Sequence, residues 1–168
     1  MKKAKIIMLI TGILLAGCSN TKSGESQQEV KYINCKRTDY YDAMEVVTNI
    51  KINYQGVEAL STDTKETIHL YKPEGASEEE LVTFVDELLK SYDLKVAAAK
   101  EDKAITFQYQ YKDSTIITKG TIDYTKVNIE TLLKDDPELE VLLEDGKVHV
   151  SKLKANYEAI GAICTDFE

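Results

Sequence analysis

The chain has no tryptophan, only two histidines and three cysteines, and no apolar run of the roughly 20 residues that a membrane-spanning helix needs. Each shortage closes a class of function. Neither His69 nor His149 stands in a His-x-x-x-His or His-x-x-Glu-His arrangement, so no metalloprotease signature is present. Without Cys-x-x-Cys the common redox motif is missing. Gly-x-Ser-x-Gly, the Walker loop and Gly-x-Gly-x-x-Gly do not occur, which leaves nucleophile-elbow and nucleotide chemistry without support. Cations are scarce as well, 21 Lys and Arg against 29 Asp and Glu, a net charge of −8. Nucleic acid demands a cationic surface and is excluded as a partner on that count.

What is present begins at the amino terminus. Lys2, Lys3 and Lys5 precede an apolar stretch from Ile6 to Ala16, broken only by Thr11 and Gly12. This is the layout of a signal peptide. It ends in Leu15-Ala16-Gly17-Cys18, a lipobox pattern in which a thiol takes diacylglycerol before cleavage between Gly17 and Cys18. Small residues suit a narrow peptidase cleft, and the thiol is the nucleophile that accepts the lipid. The expected division is residues 1–17 as signal peptide, 18–30 as lipidated cysteine and flexible polar tether, and 31–168 as the folded domain. Each buried methylene contributes about 0.8 kcal/mol, so two acyl chains on Cys18 would anchor durably where one would not.

Removing Lys2, Lys3 and Lys5 with no acid would take the net charge from −8 to −11. Such a domain is soluble and repels anionic lipid and wall polymer unless a cation bridges them. Cys35 and Cys164 then remain as an even pair outside the cytoplasm, and a disulfide is expected between them. It would tie the first strand to the last.

Val46, Thr48, Ile50, Ile52 and Tyr54 alternate with polar residues and predict a strand with one buried face. Thr64–Tyr71 predicts another, closed by Pro73-Glu74-Gly75. Ser77 with Glu80 forms a capping box ahead of a helix whose inner stripe is Leu81, Phe84, Val85, Leu88, Leu89 and Tyr92. Ile105–Tyr111 and Ile116–Tyr124 read as a hairpin around Lys112-Asp113-Ser114. A short helix is expected at Asn128 with Leu132 and Leu133 inward, another over Pro137–Leu143, and a third from Ser151 with Leu153, Tyr157 and Ile160 inward. Gly161 ends it, and Ile163–Phe167 forms a last strand. The fold class expected is α+β, a single domain with a mainly antiparallel sheet and one long and one or two shorter helices on one face.

The lipobox, the strand-rich first half, the Ser77–Tyr92 helix, the Ile122-Asp123-Tyr124-Thr125-Lys126 segment and Tyr157 with Gly161 together resemble the YehR-like family of small bacterial lipoproteins. The resemblance covers most of the mature chain and rests on the order of elements. It implies an α+β lipoprotein domain of unassigned activity, with no catalytic residue to carry over.

The acids Asp135, Asp136, Glu138, Glu140, Glu144 and Asp145 lack the Asp-x-Asp-x-Asp-Gly spacing of a calcium loop, and acids are ordinary near short helix starts. Ten tyrosines take the place of tryptophan. Tyr109, Tyr111 and Tyr124 are expected to share one side of the hairpin, as core or as a candidate binding surface. No catalytic residue, metal ligand or cofactor is expected. The function expected is a membrane-anchored extracytoplasmic lipoprotein serving as a binding or interaction module at the cell envelope. Its partners would be the membrane, through lipid on Cys18, and an envelope protein or small ligand. The alternatives are an envelope hydrolase or redox enzyme without a recognisable motif, and a purely structural lipoprotein.

Overall fold

The computed structural model describes residues 29–130, 133 and 137–167. The signal segment, Cys18, most of the tether, and Leu132, Asp135 and Asp136 lie outside the described residues. Strands β1 (Lys31–Tyr41), β2 (Met44–Gln55) and β3 (Glu58–Leu70) form a meander, followed by helix α1 (Glu78–Glu101) and the hairpin β4 (Ile105–Lys112) and β5 (Thr115–Asp123). A 3-10 turn at Pro137–Leu142, the two-residue strands β6 (Leu143–Glu144) and β7 (Lys147–Val148), helix α2 (Val150–Ala159) and strand β8 (Ile163–Phe167) complete the chain. Six strands make one antiparallel sheet in the order β4-β5-β3-β2-β1-β8. The architecture is α+β, a single domain with α1 and α2 on one face of the sheet.

Period-2 alternation sorts the strands into two faces. Met44, Val46, Ile50 and Ile52 of β2 point to the covered face with Ile68 and Leu70 of β3 and Ile116 of β5. Ile52 and Ile116 are fully buried, each burial stabilising by about 1.5–3 kcal/mol. Helix α1 starts as the sequence predicts: Ser77 Oγ accepts from the Glu80 amide while Glu80 Oε2 accepts from the Ser77 amide and hydroxyl, and the two bonds to the carboxylate lower the Glu80 pKa. Its six predicted inner residues all pack on one apolar cluster over β2, β3, β4 and β5. A second cluster lies under α2, where Val148, Val150, Leu153 and Ala162 meet Ile33, Cys35, Ile50 and Ile52.

Between the two clusters runs a polar row set by register: Arg37 of β1, Thr48 of β2, Glu66 of β3 and Thr118 of β5 are successive cross-strand partners. Arg37 holds Asp39 at 2.6 Å, and Thr118 Oγ1 donates to Glu66 Oε2 at 3.1 Å. Glu66 is 7% exposed, and burial raises its pKa above the ordinary 4.5. Half-buried Lys95 of α1 lies near enough to oppose that shift, and its own pKa is lowered by desolvation.

Cys35 and Cys164 are direct partners of β1 and β8 and form the expected disulfide across a sequence separation of 129. Several local expectations are corrected. β3 begins at Glu58 rather than Thr64, because the turn at Gly56 is tight and β2 continues to Gln55. Gly146, with φ +74, turns the chain from β6 into β7 in a small hairpin that follows the 3-10 turn. Ile160 is the C-cap residue of α2 and 49% exposed, since the chain turns at Gly161 with φ +94 before a fourth turn can form.

Replacing Cys35 and Cys164 together with Ala should lower unfolding stability by about 4 kcal/mol, read from urea denaturation; an unchanged midpoint would contradict the crosslink's role. Glu66 gives a pH prediction. Its folded pKa lies above the unfolded one, so its contribution is full below about 4.5 and is lost as pH rises through the raised folded value. Glu66→Gln should therefore flatten the fall in stability between acid and neutral pH, measured by urea unfolding at each; an unaltered slope would refute this.

Candidate functional site

Among the described residues no helix lies over the second face of the sheet. It curls into a trough of about 1090 Å3 lined by residues from all six strands. Register places its central side chains. Ile163 of β8, Lys36 of β1, Asn49 of β2, Lys65 of β3, Lys119 of β5 and Gln108 of β4 are successive partners in one row across the strands. The next row carries Asn34, Lys51, Asp63 and Thr121. Alternation explains why these side chains face out: in β3, Thr62, Glu66, Ile68 and Leu70 are buried, whereas Lys65 and His69 between them are exposed.

Four lysines thus meet one aspartate in the middle of a trough on a chain of net charge −8. Asp63 is already engaged, accepting from Asn53 Nδ2 at 2.9 Å and Thr121 Oγ1 at 2.8 Å. Lys51 Nζ sits 4.5 Å from the centre of the Tyr32 ring. Lys36, Lys65 and Lys119 form no ion pair or side-chain hydrogen bond among the described residues. Lys65 and Lys119 are direct register partners, an arrangement in which like charges repel. The acids concentrate elsewhere, with Glu78, Glu79, Glu80, Asp86, Glu87 and Asp93 exposed on α1.

The residues singled out from sequence fall differently. Tyr109 belongs to the covered face: its hydroxyl donates to Asp93 at 2.7 Å, which raises its pKa, and its ring lies 5.5 Å from that of Tyr92. Tyr111 lies on the same face, 44% exposed near the end of β4. Tyr124 follows β5 into the other cluster, where its hydroxyl lies 3.0 Å from Thr62 Oγ1. The three tyrosines do not form one surface, because Tyr109 packs in the cluster beneath α1 and Tyr124 in the one beneath α2, and neither faces the trough. Ile163, read as part of an alternating strand, points outward and is 75% exposed at the trough's edge.

His69 lies on the exposed side of β3 with Nδ1 3.4 Å from Thr115 Oγ1. His149 sits with Nδ1 2.9 Å from Ser151 Oγ and Nε2 3.9 Å from Glu144. This is not a catalytic relay. A separation of 3.9 Å exceeds a hydrogen bond, Lys152 also draws on Glu144 at 3.4 Å, and none of the three residues lines the trough or the shallow groove at the start of α1. Among the described residues no group of three or more His, Cys, Asp or Glu side chains could hold a metal ion.

The fold is a two-layer α+β domain, with helices on one face of the sheet and the cationic trough on the other. Two solved structures share features of this chain. A protein from Streptococcus pneumoniae TIGR4, determined by NMR, is 16% identical over 94% of this chain and 97% of its own, with a TM-score of 0.51; it has the same fold. The Escherichia coli protein YehR, also determined by NMR, is similar over 87% of this chain and 96% of its own at 18% identity, with a TM-score of 0.47. YehR bears the name of the family that the sequence resembles. No family model matches the chain, and no curated protein matches it.

The lysine row was missed in the sequence because its members lie in three strands, and only register brings them together. A signal existed in each strand, a lysine at an outward position. Lys119→Gln should relieve the opposition to Lys65 and raise the stability of the free protein slightly, by on the order of 0.5 kcal/mol or less, in low-salt urea unfolding. The gain should fade in high salt; a loss of stability at low salt would contradict the reading.

Proposed function

We propose that this chain is an extracytoplasmic binding module, held to a membrane by lipid on Cys18 and receiving its ligand in the concave face of its sheet. The observation that carries the reading is the trough itself: six strands contribute to a face that no element among the described residues covers, and its centre holds Lys36, Lys65 and Lys119 without partners among those residues. A purely structural protein has no need of a face whose charges repel one another. A hydrolase would need a nucleophile, a base and an orienting group in one cleft, and the trough lining contains no histidine. Residues 18–30 would give the domain reach from the membrane surface. No helix among the described residues is long and apolar enough to cross a membrane.

A single design tests the anchor and the face together. A photo-crosslinking amino acid replaces Asn49 on the trough floor or, as control, Glu87 on the outer side of α1, with and without Cys18→Ala. The parent background should take up labelled palmitate and crosslink in cells from position 49 and not from 87. Cys18→Ala should abolish the label and shift the protein out of the membrane fraction. A Cys18→Ala protein retained at the membrane like the parent would sink the anchor; equal adducts from both positions, or none, would sink the binding face.

A further inference from the structure

We propose that the trough holds an extended polyanion, a chain of phosphate groups laid across the strands against Lys36, Lys51, Lys65 and Lys119; this rests on the concave face being the ligand surface. Strands in a sheet stand about 4.8 Å apart, so the row from Lys36 on β1 to Lys119 on β5 spans three strand steps, roughly 14 Å. Lys51, on the strand between Lys36 and Lys65, stands one outward position along. No single phosphate bridges that span. A chain of them does.

The charges themselves favour such an occupant. Lys65 and Lys119 face one another across β3 and β5, and neither has an acid bound to it among the described residues. An anion between them converts repulsion into attraction, and the flanking Lys36 and Lys51 extend the same field. All four cations are lysines, compact point charges on flexible stems, which accept a phosphate in many orientations. Arg37, the one guanidinium beside the trough, is committed to Asp39 through two donors at 2.8 and 2.6 Å. Neutral donors stand in the same row, the side-chain amides of Asn49 and Gln108, and can bond phosphate oxygens without fixing a sequence.

Two other polyanionic partners fit less well. A planar bilayer cannot press into a concave face along its floor. Single-stranded nucleic acid is bound by stacking successive bases on aromatic rings, and the Tyr32 ring beside the trough already lies against Lys51 Nζ, 4.5 Å away, while the lining itself supplies none. The acids on α1 lie on the opposite side of the sheet, so the overall negative charge holds a polyanion away from the helices and leaves the trough as its place of contact.

The test uses the full chain purified in neutral detergent and fluorescently labelled inorganic polyphosphate, followed by anisotropy over a series of salt concentrations. Binding should weaken linearly in log K against log salt. Lys65→Gln with Lys119→Gln should weaken it by about tenfold or more at low salt and roughly halve the slope, since two of four cations are gone. Urea unfolding of that double variant should show a fold at least as stable as the parent, so lost binding is not lost structure. Orthophosphate at equal phosphate concentration should compete far less well than the polymer. Parental binding by the double variant, equal competition by orthophosphate, or stronger binding to phosphatidylglycerol vesicles than to polyphosphate would each overturn the proposal. An adduct at position 49 with an uncharged ligand would do so too while leaving the binding-module reading intact.

Discussion

The alternation of a β-strand assigns each residue of a sheet to one of two faces, and the described residues supply helices for only one of them. Everything else follows from that inequality. The apolar residues of β2, β3 and β5 must gather where α1 and α2 can cover them, and the intervening positions must tolerate water. Lysine, asparagine, threonine and glutamine occupy those positions, and antiparallel pairing then sets them side by side. The trough is therefore a by-product of one-sided coverage before it is anything else; the placing of its cations is what sets it apart from an ordinary solvated face.

The covered face is not uniform either. Arg37, Thr48, Glu66 and Thr118 cut it across the middle and divide the apolar contacts into one cluster beneath α1 and another beneath α2. A buried carboxylate is tolerated there because Thr118 donates to it and Lys95 approaches from the helix above. Polar groups of this kind stabilise less than apolar packing of equal volume, but they restrict which residues can sit opposite one another. A slip of β3 by two residues would keep every side chain on its own face and still place Glu66 against a residue other than Thr118. The row thus penalises shifts that alternation alone would allow.

Much of the fold was legible in the sequence, for local reasons. Ser77 and Glu80 announce α1 because a capping box is written in four consecutive residues. Ile105 to Tyr124 announces a hairpin because two alternating runs flank a short polar turn, here with Asp113 and Ser114 both at positive φ. Cys35 and Cys164 could be paired because no other partner was left. Register was not legible, and the features that depend on it were lost with it: the alignment of Lys36, Lys65 and Lys119, the polar row, and the separation of Tyr109 from Tyr124. Composition misled in one respect. A net charge of −8 describes the whole chain, whereas seven of its acids lie along α1 and four of its lysines gather in the trough on the other side of the sheet.

The disulfide between β1 and β8 also has a mechanical side. The chain enters the sheet at Lys31, and β1 is held between β2 and β8. A pull on the amino-terminal side would load β1 along its length and could peel Lys31 through Asn34, but at Cys35 it meets a covalent bond to Cys164. Beyond that point the load passes into the last strand of the protein, so the two ends of the folded chain share it and the strands between them are drawn together rather than unzipped one by one.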